Sequence, residues 1–176
     1  MVESVFSVDG VLARADPHYQ PREGQLAMAQ AVAHAMGAGE VLVAEAGTGV
    51  GKTYAYLVPA LLSGERVLLS TATKALQDPL FSRDIPRLVQ ALEVPVRVAL
   101  LKGRSSYLCL HRLGMARHAV GGESPQQIRV LAKIEEWSRS TRSGDLSELT
   151  GLDDRSPVIP WVTSTRENCL GSHCPN

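Results

Sequence analysis

The side chains best suited to chemistry in this chain lie in residues 41–53, VLVAEAGTGVGKT. An apolar run leads into the phosphate loop, residues 46–53, which ends in Gly51, Lys52 and Thr53. Alternating glycines let a backbone turn sharply and direct N–H groups at a phosphate, which the positive end of the following helix also attracts. The lysine of such a loop bridges the β- and γ-phosphates, and the next hydroxyl coordinates Mg²⁺. The segment therefore predicts a site for ATP and Mg²⁺.

Residues upstream of the phosphate loop are expected to reach the same nucleotide. Arg22, Gln25 and Met28 follow one another at intervals of three, and a glutamine amide can pair with the donor and acceptor edge of adenine. A solvated helix face explains Arg22 and Gln25 alone equally well. Ala46 stands where the strict loop pattern has glycine, and alanine there is typical of helicase-type ATPases. The predicted catalytic residues are Lys52 and Thr53, and the predicted nucleotide contacts are Arg22, Gln25, Ala46, Gly47, Thr48, Gly49, Val50, Gly51, Lys52, Thr53 and Tyr54.

Composition and charge fit one α/β domain or a piece of a larger protein. The 176 residues are 44% hydrophobic, and 18 acidic side chains balance 18 basic ones, so the chain can bury a core but has no global affinity for polyanions. Its first residues lack the basic and apolar regions of a signal peptide, and no apolar run approaches the length of a membrane span. We therefore expect a cytoplasmic protein without a membrane partner.

The hydrophobic pattern alternates between helix and strand in the first hundred residues. Strands are predicted at residues 40–45, 66–70 and 96–101. Helices are predicted at residues 22–36, 52–62, 107–120 and 125–139. A further helical region is broken by Pro79 and Pro86, and Gly121 and Gly122 join the last two helices. This order predicts an α/β fold with a parallel sheet, helices on both faces, and ligands at the carboxyl ends of the strands.

Two polar segments beside the predicted strand ends suit a nucleic-acid backbone. Residues 70–74, STATK, combine hydroxyls, backbone N–H groups and an ammonium. Residues 94–122 contain no Asp or Glu but several Arg and Lys, and such a stretch of one sign suits a polyanion. An ordinary helix N-cap at Thr71 or Thr73 is the alternative. The predicted DNA contacts are Thr71, Thr73, Lys74, Lys102 and Arg104.

Three cysteines complete the candidate residues. Cys169 and Cys174 form a C-x4-C pair in a polar segment, whereas Cys109 lies beside the basic stretch. An odd number of cysteines argues against a disulfide framework. A close pair and a distant thiol suit an iron–sulfur cluster or a zinc site, and unligated thiols explain them equally well.

Several motifs in one order resemble the bacterial DinG/YoaA helicases, relatives of the eukaryotic XPD helicase. They are FSVDGVL near the start, the Arg22, Gln25 and Met28 group, AEAGTGVGKTYAYLVPAL, STATKALQDPLFSRDIP, LKGRSSYLC and ENCLGSHCP. The resemblance covers essentially the whole chain and is strongest to the YoaA branch. Two departures, Pro79 where glutamine is usual and Ser106 where asparagine is frequent, weaken the branch assignment more than the family assignment.

The resemblance implies a RecA-like phosphate-loop fold, followed by a largely helical and incomplete iron–sulfur cluster insertion. Residues 1–106 would be the N-terminal part of the first motor domain, and residues 107–176 would be the cluster domain. By position, Cys109, Cys169 and Cys174 resemble the first three ligands of a 4Fe–4S cluster. The fourth ligand would lie just beyond this chain.

The activity that the resemblance implies for the intact protein is an ATP-dependent helicase moving 5′ to 3′ on single-stranded or forked DNA. It would act in DNA repair or replication-fork rescue, as a cytoplasmic, nucleoid-associated monomer with a replication or repair protein as partner. The 176 residues contain no DEAH motif and no second motor domain. They are therefore expected to be an N-terminal piece that is inactive by itself.

Two other interpretations stay open from the residues. One is a phosphate-loop ATP-binding module, such as a kinase or regulatory ATPase, whose cysteines bind zinc together with His111, His118 or His173. The other is a non-catalytic piece that docks a partner through its exposed helical region. Bound iron and sulfide, or stoichiometric zinc instead, would separate the helicase from the zinc module.

Overall fold

The computed structural model describes residues 1–118 and 124–176. These residues form two compact units, Met1–Ala99 and Leu100–Asn176, and each unit has a buried apolar core. The predicted domain division after residue 106 stays a prediction. The predicted end of a helix at residue 120 and the junction at Gly121 and Gly122 lie outside the described residues.

The first unit is built from α-helices. They are α1 (Val2–Phe6), α2 (Val11–Ala15), α3 (Glu23–Ala38), α4 (Lys52–Leu62), α5 (Lys74–Pro79) and α6 (Ile85–Leu92). The helices predicted at residues 22–36 and 52–62 are confirmed as α3 and α4, and α3 continues two residues beyond the prediction to Ala38, with Gly39 as its C-cap. Among the described residues, no helix is both long and apolar enough to cross a lipid bilayer.

The core of the first unit centres on the packing of α3 against α4. Ala29 of α3 and Ala55 of α4 are completely buried, and small side chains on packed helices permit a close approach of their axes. The largest fully buried side chains of this unit are Leu57, Leu88 and Val58. Because Leu57 and Val58 belong to the helix that begins at Lys52, burial of these side chains anchors the end of the phosphate loop.

The predicted break of the helical region at Pro79 and Pro86 is wrong. α5 ends at Pro79, a π-helical turn spans Leu80–Asp84, and α6 continues from there. Pro86 stands in the first turn of α6, the part of a helix that best tolerates a missing N–H. The N–H of Ile85 donates to the carbonyl of Leu80 across the π turn, so the helical path passes through both prolines.

The predicted strands do not pair in the structure. The described residues carry no strand at 40–45, 66–70 or 96–101. Their β-pairing is an isolated bridge between Tyr107 and Asp145. An apolar pattern is a local property of a segment, whereas strand hydrogen bonds require a neighbouring strand. The predicted parallel sheet is therefore not observed in this structure.

The described part of the second unit contains α7 (Leu110–His118), α8 (Pro125–Ser138) and α9 (Ile159–Val162). A capping box fixes the start of α8: Ser124 Oγ accepts from the Gln127 N–H at 3.3 Å, and Gln127 Oε1 accepts from the Ser124 N–H at 2.8 Å. The buried apolar residues of this unit are Leu113, Leu131, Ile134, Leu146, Leu149, Val158 and Val162. The second unit thus has a packed interior that orders its polar segments.

Candidate nucleotide and nucleic-acid site

The phosphate loop lies at the start of α4, where its backbone geometry requires glycine. Gly49 and Gly51 have φ values of +81° and +88°, in the left-handed region that side chains with a Cβ rarely adopt. Gly51 is the N-cap of α4, and the loop residues Gly47 and Thr48 are exposed. The loop is thus an accessible surface at the positive end of a helix.

Lys52 folds back onto the phosphate loop. Its Nζ donates hydrogen bonds to the carbonyls of Ala46 and Gly47, each at 2.7 Å. These bonds keep the ammonium against the loop, next to the half-buried Thr53. A bound phosphate would exchange two neutral carbonyl acceptors for charged oxygens, which form stronger hydrogen bonds with a cation.

Gln25 packs against the phosphate loop. The residue is only 4% exposed, and its Nε2 donates to the carbonyl of Gly51 at 2.9 Å. A Cβ built on Gly51 would lie 2.1 Å from this nitrogen, so the contact leaves no room for a side chain. Arg22, in contrast, is exposed at the N-cap of α3. Gln25 therefore does not belong to a solvated helix face, so that alternative is wrong for this residue. The contact of Gln25 with adenine stays a prediction.

Tyr19 is not among the predicted site residues, yet it contacts Gln25. Its hydroxyl lies 3.3 Å from Gln25 Oε1 and 3.3 Å from the carbonyl oxygen of Phe6. Burial raises the pKa of Tyr19, against an opposing effect of Arg22, so the hydroxyl keeps its proton. Tyr19 and Tyr54 also line a cavity of about 810 Å³ between α2 and α6. The equal spacing of Tyr19, Arg22 and Gln25 is the sequence signal that could have identified this residue.

The predicted DNA contacts of residues 70–74 lie at the start of α5. Thr73 is the N-cap, and its Oγ1 accepts a hydrogen bond from the Leu76 N–H at 3.4 Å. Thr71 is half-buried, and its Oγ1 donates to the carbonyl of Thr73 at 3.5 Å. The N-cap alternative is therefore confirmed for Thr73. Lys74 is exposed, as is Arg104 in the second unit, so both side chains are accessible to a polyanion.

Lys102 is buried in an ion pair. Its Nζ lies 2.8 Å from Asp145 Oδ2 and 3.0 Å from Ser147 Oγ, and only 3% of its side chain is exposed. Ser147 donates to Asp145 Oδ1 from its backbone N–H and from its hydroxyl, at 3.0 and 2.8 Å. A DNA phosphate could reach this ammonium only by breaking the network. The structure therefore does not support the expected DNA contact of Lys102.

The Lys102–Asp145 pair should make stability depend on pH. Burial alone raises the pKa of Asp145, but hydrogen bonds from Lys102 and Ser147 outweigh burial and lower this pKa. A carboxylate with a lowered pKa stabilises the fold above its unfolded pKa of about 3.9, and this contribution disappears as the pH falls through the folded value. Lys102→Met leaves Asp145 buried without its cation and should cost about 3 kcal/mol of unfolding free energy at neutral pH.

Denaturant unfolding of wild type and Lys102→Met, at neutral pH and near pH 2, measures this contribution. The difference between the two proteins should shrink as the pH falls, because protonation of Asp145 removes its attraction for the Lys102 ammonium. Lys133→Met is the matched control, since exposed Lys133 donates to the carbonyl of Thr150. A difference of equal size at both pH values would contradict the ion-pair explanation.

The three cysteines are free, half-buried thiols of the second unit. The backbone N–H of Cys109 donates to the carbonyl of Val162 at 2.7 Å, which ties the start of α7 to the end of α9. Cys169 and Cys174 follow α9 in the chain. Within residues 1–118 and 124–176, no three His, Cys, Asp or Glu side chains are grouped so that they could hold a metal ion. As they stand, the thiols therefore fit neither a cluster nor a zinc ion.

Comparison with known proteins relates this arrangement to one family. Residues 26–136, more than half of the chain, match the DEAD/DEAH box helicase family. This stretch contains the phosphate loop, α4 and the segment around Lys74. It also extends into the second unit.

Individual relatives match three quarters of the chain or more. The ATP-dependent DNA helicase YoaA of Escherichia coli K12 is 52% identical over 171 residues, which are 97% of this chain and 27% of the relative. The ATP-dependent helicase DinG of Mycobacterium tuberculosis is 42% identical over 179 residues, which are 88% of this chain and 26% of the relative. The 3′-5′ exonuclease DinG of Bacillus subtilis is 34% identical over 137 residues, or 76% of this chain and 15% of the relative. The chain thus spans about a quarter of the length of the first two relatives.

Proposed function

Because the chain belongs to the DEAD/DEAH box helicase family, we propose that it supplies the ATP-binding part of the first motor domain of an ATP-dependent DNA helicase. The observation that carries the proposal is the phosphate loop, in which Lys52 Nζ lies against the carbonyls of Ala46 and Gly47 at the start of α4. The YoaA and DinG relatives, whose names include helicase activity, support the same function.

The nucleotide binds along the loop and α3. The Lys52 ammonium exchanges its two backbone carbonyls for the β- and γ-phosphates, and the Thr53 hydroxyl coordinates Mg²⁺. The amide of Gln25 pairs with adenine, while exposed Arg22 lies at the start of the same helix. The carboxylate that orients the attacking water and the arginine of a second motor domain come from other parts of the protein, since the chain contains no DEAH motif.

The intact motor domain contains the predicted parallel sheet. Aliphatic side chains of two predicted strands support this proposal: Val41 is 94% exposed, and Val43 and Leu68 are each 92% exposed. Exposed side chains of this kind gain about 25 cal/mol for each Å² of apolar surface that further strands or helices cover. Residues 40–45, 66–70 and 96–101 then place the phosphate loop and residues 70–74 at one edge of the sheet.

Accessible cations in each unit contact DNA. Lys74 and Arg104 contact phosphates of single-stranded or forked DNA, with Thr71 as a hydroxyl donor. These contacts carry no base preference, because the phosphate backbone is the same in every sequence. Motion is 5′ to 3′, and the protein acts as a cytoplasmic, nucleoid-associated monomer in repair or fork rescue, together with a replication or repair partner.

Cys109, Cys169 and Cys174 hold a 4Fe–4S cluster in the intact protein, with a fourth cysteine from beyond residue 176. Their common position in one compact unit and their partial exposure support this proposal. The arrangement in the structure does not yet bring them together, so cluster binding requires a rearrangement of the segment that follows α9. The cluster would supply a rigid cross-link between that segment and α7.

Strand displacement by the full-length protein tests the proposed function. A duplex with a single-stranded 5′ tail should be unwound in the presence of ATP and Mg²⁺, whereas a duplex with a 3′ tail should not. Lys74→Ala with Arg104→Ala should weaken binding to all single strands and reduce the slope of log K against log salt by about one to two. Lys133→Ala is the matched control, because Lys133 is an exposed lysine that is not among the proposed DNA contacts.

Two outcomes would contradict parts of this proposal. Failure to unwind either tailed duplex, with ATP binding intact, would remove the helicase assignment. An unchanged affinity and salt slope in the double variant would show that Lys74 and Arg104 are solvated cations with no part in DNA binding.

A further inference from the structure

The amide of Gln25 has four hydrogen-bonding positions, and two of them are already in use. A glutamine amide carries two N–H donors and two acceptor lone pairs. One donor goes to the carbonyl of Gly51 at 2.9 Å, and one lone pair accepts from the Tyr19 hydroxyl at 3.3 Å. One donor and one acceptor therefore remain for a ligand.

These two contacts determine which way round the amide lies. A flipped amide would turn Oε1 toward the carbonyl of Gly51 and place two acceptors against each other. It would also lose the hydrogen bond from Tyr19 to Oε1 and leave that proton to the carbonyl of Phe6. The hydroxyl of Tyr19 is a dependable donor, because burial favours its protonated form. The hydroxyl has a single proton, which it shares between Gln25 Oε1 and the carbonyl of Phe6, each at 3.3 Å. Phe6 belongs to α1, so the ring is placed by an element outside the phosphate loop.

We propose that Tyr19 is a specificity-determining residue of the nucleotide site, which acts by holding the Gln25 amide with one donor and one acceptor free for the base. The inference rests on the proposed ATP site. Adenine presents an amino donor beside a ring-nitrogen acceptor, whereas guanine presents two acceptors at the corresponding edge. The locked amide can pair with both groups of adenine, but it leaves one group of guanine facing an acceptor. Tyr19 is a positioning residue, since it acts through Gln25.

Tyr19→Phe in the full-length protein tests this inference, because it removes the hydroxyl and keeps the ring. The measurement is the DNA-stimulated kcat/KM with ATP and with GTP, for the variant and the wild type. The preference for ATP over GTP should fall about tenfold, the size of one neutral hydrogen bond. The change should lie mainly in KM, because the phosphates and Mg²⁺ keep their contacts. A merely structural defect would instead lower kcat/KM equally for ATP and GTP, so the ratio of the two values would not change.

Tyr56→Phe is the matched control. Tyr56 is half-buried in the same core, and the substitution removes the same hydroxyl oxygen. The preference of this variant for ATP over GTP should therefore equal that of the wild type. The dissociation constants of ADP and GDP give a second readout that does not depend on turnover. If the wild type is active and Tyr19→Phe prefers ATP over GTP to the same extent as the wild type, the proposed role of Tyr19 is wrong. A wild type that hydrolyses neither nucleotide overturns the proposed function instead.

Discussion

Replacing Lys52 with alanine should lower the DNA-stimulated ATPase of the full-length protein by about two to three orders of magnitude. The substitution removes the point charge that would neutralise the β- and γ-phosphates as charge develops during transfer. The fold should survive, because the hydrogen bonds of Lys52 Nζ run to the loop carbonyls of Ala46 and Gly47, away from the buried core. Phosphate release measures turnover, and circular dichroism with thermal melting measures folding.

Lys133→Ala serves as the control for the loss of a lysine that donates to a backbone carbonyl, here the carbonyl of Thr150 at 2.6 Å. It should hydrolyse ATP at the wild-type rate. Wild-type turnover in folded Lys52→Ala would exclude the phosphate loop as the site of hydrolysis. Residues 1–176 alone should show negligible turnover, because the predicted water-orienting carboxylate is not among them.

Replacing Cys169 with serine should remove the proposed cluster from the full-length protein and abolish unwinding, while ATP binding persists. A 4Fe–4S cluster that loses one thiolate has an open iron site and is prone to loss and oxidation. The phosphate loop should be unaffected, because it belongs to a unit with its own core of buried residues. Iron and sulfide content, visible absorbance, strand displacement and nucleotide binding measure the four expectations.

His173→Ala separates the cluster from the zinc alternative, because His173 lies next to Cys174 and is one of the candidate zinc ligands. The cluster proposal expects full iron content in this variant. Stoichiometric zinc in the wild type, lost in His173→Ala, would favour the ATP-binding module with a zinc site. Retention of both iron and unwinding by Cys169→Ser would show that this thiol is not a ligand.

Helices whose signals lie within a few residues could be predicted from the sequence. α4 occupies residues 52–62, as predicted, because a glycine N-cap and an apolar face are both local features. α8 begins at Pro125, as predicted, since Ser124 and Gln127 form a capping box readable from their spacing. The glycine positions of the phosphate loop follow from the same kind of short-range chemistry.

Features that depend on distant partners could not be predicted. The sequence suggested that Lys102 is an exposed cation, because no acidic residue lies near it in the chain, yet its partner Ser147 is 45 residues away. The predicted strands are unpaired in this structure for a similar reason: an apolar segment does not specify which strand it pairs with. Tyr19 shows the intermediate case, since its spacing from Gln25 is visible but the contact needs the turn that precedes α3.

The contact between Gln25 and Gly51 makes mutations at these two positions dependent on their order. A side chain at position 51 would meet Gln25 Nε2 at 2.1 Å, and a smaller residue at position 25 would relieve that clash. The backbone penalty would remain, because a φ of +88° costs roughly 1–2 kcal/mol for a residue with a Cβ. Position 51 is thus constrained both by its positive φ and by the contact with Gln25, whereas position 25 is constrained sterically by that contact alone. Drift in a lineage can begin at position 25 with glycine retained, whereas a lineage that first loses the glycine carries both penalties at once.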